Sequence, residues 1–405
     1  MNLNETIRRL AEKYDSFYVY DEQHIIGSIQ ELTSHFPQVK FLYSLKCNPH
    51  PDVLRSVFSQ SLGADAASLG EVRAAASAGL PKEAIYFSAP GKTQRDIEQA
   101  LSSATIIADS IGEIQRIQQA ADQAGIVASI GLRINPRFSF YGRAGHPSKF
   151  GIDEDLALDF IRSGSCPNVK IIGIHVHLKS QELQANVLAS YYANVLALAE
   201  TFSQLCGEPA FLNMGSGLGI PYSKTDAPLD LAALSRLLGQ QLQAFQSRHR
   251  RTKILIETGR YVVGKSGLYV TKVLDCKQSY GKKYVIVKNT LNGFIRPSLA
   301  HVIKSYAGKQ ELTGTEPLFT SADAFQILPL QKDEPLEKVT VVGNLCTAAD
   351  VLAEDIWLPP LTCGDLLVVT NAGSYAAVLS PMQFSSQEQP AECFLTADGA
   401  VHVRS

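Results

Sequence analysis

The sequence predicts an α/β chain in which a parallel (β/α)8 barrel is joined to a second, mostly β domain. Two observations carry this. From Val39 to about Glu257, short apolar runs alternate eight times with stretches of helical periodicity, the pattern of a parallel barrel. After about residue 262 the texture changes to short β-rich runs separated by Gly and Pro turns, which predicts a sandwich-like or barrel-like β unit. The expected division is a barrel over 24–262 and a β-rich domain made of 1–23 with 263–405.

Taken in order, residues 5–13 have the spacing of a short amphipathic helix, and Ser16–Asp21 reads as a strand. That strand stands outside the eight, so it is assigned to the β domain. The barrel strands are expected at Phe41–Leu45, Leu62–Ala66, Ala84–Phe87, Thr105–Ala108, Ala128–Ile134, Lys170–Val176, Ala210–Met214 and Lys253–Glu257. Ser68–Ala78 and Val187–Leu205 have helical periodicity between them. Further on, Tyr269–Leu274, Lys283–Lys288, Lys338–Val342, Asp365–Thr370 and Glu392–Leu395 read as strands. The polar stretch Lys309–Glu334 reads as a loop.

Composition narrows the function. The chain has 405 residues, 45% apolar and 19% charged, with a net charge of -2. No basic excess points to nucleic acid, and no apolar run reaches the ~18 residues of a membrane span. The polar start Met1–Glu5 lacks a signal-peptide apolar core. The seven cysteines (47, 166, 206, 276, 346, 363 and 393) are scattered and form no C-x-x-C. That favours reduced thiols in a cytoplasm over a disulfide framework, and no metal site is expected.

The chemistry-bearing segments follow strands, where a barrel of this type builds its active site. Phe41–Leu45 ends in Lys46, and Asn48-Pro49 then stops the run. A lysine at a buried strand tip either snorkels into water or uses its amine. Desolvation lowers its pKa, and a neutral amine attacks a carbonyl to form a Schiff base. Ser68 with Glu71 reads as a helix capping box. His175 and His177 share one strand face, either structurally or at the barrel mouth. Asn213–Gly219 is a glycine-rich turn whose backbone N–H groups suit a phosphate, although it has no Walker lysine. Glu257 ends an all-apolar strand and needs a partner, either Arg260 or a protonated ring nitrogen. Gly343–Asp350 and Asn371–Tyr375 are polar loops after apolar strands.

Together these segments resemble the alanine-racemase-fold pyridoxal-phosphate decarboxylases, the group of diaminopimelate, ornithine and biosynthetic arginine decarboxylases. The resemblance runs from about Phe17 to about Phe384. Tyr43–Asn48 is similar to the family's cofactor-lysine motif, which makes Lys46 the cofactor lysine. Asp65 in Gly63–Glu71 becomes its neighbour near the cofactor. Arg133 in Leu132–Pro136 and the run Ser148–Ile152 are similar to two further signatures. The resemblance implies that His177 stacks on the pyridine ring, that Ser180, the Gly215-Ser216-Gly217 turn and Tyr375 hold phosphate, and that Glu257, with Gly259 and Arg260 beside it, meets the ring nitrogen. It also implies a homodimer with shared sites, Arg296 contacting substrate, and Cys346, Thr347 and Asp350 reaching in from the other subunit. Cys346 is then the general acid.

Departures from the family pattern bear on substrate. Lys179 stands where a glycine is usual, Thr258 where a proline is, and Arg296–Ala300 lacks a closing tyrosine. Thr347 replaces the acid that addresses the distal end of diaminopimelate. With the Gly142–His146 run, this is similar to members of siderophore and antibiotic pathways, which decarboxylate citryl-diaminopropionate or a carrier-bound glutamate. A diaminopimelate, ornithine or lysine decarboxylase is the alternative. A racemase needs a tyrosine acid facing Lys46. A non-catalytic decarboxylase regulator loses the lysine or the cysteine, and both are present here.

Overall fold

The computed structural model describes residues 3–307, 324–330 and 335–404. The chain forms two compact units. One holds residues 28–219 and 228–259, the other residues 1–27, 220–227 and 260–405.

The first unit is the barrel. Its strands are β1 (Val39–Ser44), β2 (Gly63–Ala66), β3 (Ile85–Phe87), β4 (Thr105–Ala108), β5 (Ala128–Asn135), β6 (Val169–His175), β7 (Phe211–Asn213) and β8 (Lys253–Thr258). All neighbours pair in parallel, and β8 closes the ring on β1. Every expected strand is present, with its ends shifted by a few residues. Leu42, Tyr86, Ile107, Phe211 and Leu255 fill one layer of the interior. Burying each such side chain contributes roughly 1.5–3 kcal/mol. The Phe211 ring lies over the strands beside it because Gly131 and Gly173 leave room: a Cβ at either would come within 2.7 Å of that ring.

The helix Leu69–Ser77 shows how local chemistry sets an element. Ser68 Oγ accepts from the Glu71 N–H at 3.1 Å. Glu71 returns its carboxylate to the Ala67 N–H at 2.6 Å, one residue earlier than a standard capping box.

The second unit is β-rich. Ser16–Asp21 lies at its centre, antiparallel to Gly267–Ser279 and parallel to Ala391–Leu395. One face of the sheet carries Phe17 and Val19 against Ile7 and Leu10 of the helix Leu3–Ala11, with Val270 and Cys393. Lys282–Val287, Glu337–Gly343 and Val351–Leu358 extend the sheet. The last of these, with Val401–Arg404, was not legible as a strand. Residues 220–227 lie inside the 24–262 span yet pack with this unit, where Ile220 and Tyr222 cluster with Ala324. The expected Lys309–Glu334 loop falls mostly outside the described residues, and within it Ile327–Pro329 is a short strand. No helix among the described residues is long and apolar enough to cross a membrane.

Candidate active site

Side chains from the C-terminal ends of the barrel strands converge. After β1 the backbone tightens into a 3-10 turn, Leu45–Cys47. Tyr43 Oη donates to the Asn48 carbonyl at 2.9 Å and locks that turn. Lys46 projects from it with its side chain 41% exposed, and its Nζ lies 3.5 Å from Asp65 Oδ2 at the end of β2. Asp65 is itself buried and accepts from Ser44 Oγ at 2.9 Å and Ser88 Oγ at 2.5 Å. The Lys46 amine departs from the sequence expectation. Burial opposes its charge, but the carboxylates of Asp65 and Glu257 outweigh that and hold the ammonium well above the usual lysine range.

Glu257, at the end of β8, is 2% exposed. Its Oε1 accepts from Asn213 Nδ2 at 2.9 Å and lies 3.1 Å from His175 Nε2. Burial pushes the acid up, but His175 and Lys46 outweigh it, so the carboxyl stays well below the usual range and is ionised. His177 is the opposite case. Burial lowers its imidazole to about 3, and its Nδ1 accepts from the Ser216 N–H at 3.0 Å. The ring is therefore neutral, and its 3.6 Å approach to Glu257 Oε2 is not an ion pair.

The glycine turn follows β7. Gly215 has φ +70° and Gly217 φ +149°. A Cβ on Gly215 would sit 2.8 Å from His177 Cα, so only glycine lets the turn lie flat against β6. The Gly215 N–H donates to Asn213 Oδ1 at 2.9 Å. Gly259 has no Cβ because Cys47 Sγ fills that space. Arg133 lies buried under Phe150, 4.4 Å from the ring centroid, and 3.6 Å from Asp109. Ser180 is half-buried. Lys179 is not a free cation: it lies 3.7 Å from Glu182 and 4.2 Å from the centre of the Tyr141 ring.

In the β-rich unit, Arg260 Nη1 and Arg296 Nη1 both donate to Tyr222 Oη, at 2.6 and 3.1 Å. Arg296 also donates to the Ser374 carbonyl at 3.3 Å and is fully buried. The Arg260 guanidinium lies 4.8 Å from the centre of the Tyr375 ring. Cys346 is exposed, 3.7 Å from Ser385 Oγ. Thr347 Oγ1 accepts from the Ala349 N–H at 3.3 Å. Asp350 is buried. Its Oδ1 accepts from Thr290 and from the Leu291 N–H at 2.9 Å, and its Oδ2 accepts from the Leu345 N–H at 2.9 Å. It anchors the loop that presents Cys346.

Ser88 was not singled out in the sequence, and Ser44 and Asn213 stood inside motifs with no role of their own. Small polar residues ending apolar strands were the available signal, and that signal is common. The barrel set combines one amine, an ionised carboxylate, a neutral imidazole and a flat glycine turn. These donors and acceptors fit an aldehyde-bearing heteroaromatic ring with a basic nitrogen and an anionic tail.

Residues 22–264 match the pyridoxal binding domain of the pyridoxal-dependent decarboxylases. The chain is 32% identical to the L-glutamyl-BtrI acyl-carrier protein decarboxylase of Niallia circulans, over 97% of this chain and 92% of that one. It is 28% identical to diaminopimelate decarboxylase of Aquifex aeolicus, over 98% and 90%. The crystal structure of diaminopimelate decarboxylase from Helicobacter pylori, complexed with L-lysine, superposes with a TM-score of 0.82 at 27% identity, covering 98% of this chain and 95% of that one. This chain therefore belongs to the pyridoxal-dependent decarboxylase family and is a pyridoxal-phosphate-dependent amino acid decarboxylase, a carboxy-lyase.

Proposed function

We propose that this enzyme removes the α-carboxylate of an amino acid whose far end is already acylated, a citryl-diaminopropionate-like or carrier-bound substrate of a siderophore or other specialised pathway. The observation that carries this reading is the segment Cys346–Asp350. A free distal ammonium needs a carboxylate, since an unpaired buried charge costs several kcal/mol. Here the position after Cys346 is Thr347, and the one acid of the segment, Asp350, accepts through Oδ1 from the Leu291 N–H and through Oδ2 from the Leu345 N–H of its own loop. The carrier-protein decarboxylase among the relatives supports the same direction.

The family resemblance and the barrel geometry support the following residue roles. Lys46 would hold the cofactor through Nζ. Glu257 would offer Oε2 to the ring nitrogen while Asn213 holds Oε1. His177, being neutral, would cover a cationic ring without repelling it. The Gly215–Gly217 turn, with Ser180 and Tyr375, would hold the phosphate. When bound, pyridoxal phosphate supplies a sink for the electron pair left on Cα as carbon dioxide departs. Cys346 would return the proton to Cα, acting across a two-fold dimer.

The test is kcat/KM for carbon dioxide release from citryl- or carrier-acylated diamino acids and glutamate against free lysine, ornithine and diaminopimelate. The acylated class should exceed the free class by at least tenfold, and Thr347→Glu should lower activity on a carboxylate-bearing acyl substrate. A free diamino acid as the best substrate would sink this reading of Thr347 and leave the decarboxylase assignment intact.

A further inference from the structure

One buried titratable group in the barrel has no assigned task. His175 is 1% exposed, one alternation before His177 on β6. Its neighbours in register are Arg133 on β5 and Asn213 on β7. Its Nε2 lies 3.1 Å from Glu257 Oε1, within hydrogen-bond distance but short of a full hydrogen-bond geometry. Neither ring nitrogen completes a hydrogen bond among the described residues. Buried polar atoms are rarely left so, and an imidazole is a poor choice for filling apolar space.

We infer that His175 is a positioning residue for the cofactor-facing carboxylate. Glu257 Oε1 has two lone pairs. Asn213 Nδ2 takes one, and a small rotation of the His175 ring brings its Nε2–H onto the other. With Oε1 held from two sides, the carboxylate cannot turn, and Oε2 is the oxygen presented to the ring nitrogen. Asn213 is fixed in turn by the Gly215 N–H on its Oδ1, so the clamp is continuous with the phosphate turn. The inference rests on the reading that Glu257 meets the cofactor ring.

The experiment compares His175→Leu, His175→Gln and Glu257→Gln as holoenzymes. Readouts are kcat, KM, the visible absorption of the bound cofactor and its dissociation constant from titration of the apoprotein. Gln Nε2 falls near the imidazole Nε2, whereas Leu keeps bulk and loses the donor. His175→Leu should lower kcat on the order of tenfold or more, the effect of losing one hydrogen bond to a charged group. KM should stay within about threefold, the cofactor absorption should shift, and cofactor affinity should fall. His175→Gln should restore kcat and spectrum to within about threefold. An unshifted spectrum and unchanged kcat in His175→Leu, or equal losses in the Leu and Gln variants, overturns the inference. If the Leu variant does not fold, His175→Asn replaces it: its donor falls short of Oε1, and activity equal to that of the Gln variant overturns the inference. Near-normal activity in Glu257→Gln locates the failure in the reading of Glu257 itself. Loss there with an inert His175→Leu refutes only the role of His175.

Discussion

Asp65→Asn should move the pH at which the apoprotein captures pyridoxal phosphate. The amide keeps the shape of the carboxylate and can still accept from Ser44 or Ser88, so the change removes charge more than packing. Asp65 Oδ2 lies 3.5 Å from Lys46 Nζ. Coulomb's law at that separation and an effective dielectric near 20 gives about 5 kcal/mol as an upper bound. The Lys46 side chain is 41% exposed, so water screens much of this. An opposite charge at such a distance moves a pKa by about 1–3, and partial exposure puts the expected change at about 1–2. The sign follows from Lys46, whose ammonium is held above the usual range chiefly by Asp65. The aldehyde is attacked by the neutral amine, which appears only as pH rises through that pKa. Removing the Asp65 charge brings the neutral amine in at lower pH. The midpoint of capture rate against pH should therefore fall by about one to two pH units, with capture at neutral pH faster by on the order of tenfold. Stopped-flow absorbance after mixing apoprotein with pyridoxal phosphate measures this. A midpoint that stays put or rises would refute the electrostatic coupling.

Three further outcomes are expected. Lys92 is buried and donates to Glu113 at 2.7 Å and to the Ala89 and Ile107 carbonyls; Lys92→Met should cost about 3–5 kcal/mol in urea unfolding, less as pH falls and Glu113 takes up a proton, with Glu113→Leu restoring part of it. Equal losses in the single and double variants would contradict this. Gly215→Ala forces a side chain into φ +70° against β6 and should weaken cofactor binding at least tenfold in fluorescence titration; unchanged affinity would show that the turn does not hold the phosphate. Mixing inactive Lys46→Ala with inactive Cys346→Ala protein should restore part of the activity through hybrid dimers, and no recovery after verified subunit exchange would argue against a shared site.

The barrel was legible because parallel strands buried on both faces read as apolar runs, and each expected run became a strand. That Ser16–Asp21 belongs to the β domain was legible from its surplus to the eight, whereas its central place in that sheet was not. Val351–Leu358 was not, because its exposed residues Glu354 and Asp355 break the alternation, and Asp355 takes φ +53° within the strand. In the site, motif residues at strand ends could be named, but their charge states could not. Burial alone predicts a lowered Lys46, and the structure reverses this by placing Asp65 and Glu257 around it. The hydrogen bonds that the Leu291 and Leu345 N–H groups donate to Asp350 were not legible either, because no sequence pattern marks those donors.

Borohydride reduction of the holoenzyme, followed by peptide mapping, identifies the lysine that carries the cofactor. It fixes the cofactor covalently to whichever lysine holds it. A single phosphopyridoxyl group is expected on Lys46, in the peptide that continues through Cys47-Asn48-Pro49. A phosphopyridoxyl group on Lys92, Lys179 or any other lysine, with Lys46 unmodified, would contradict this.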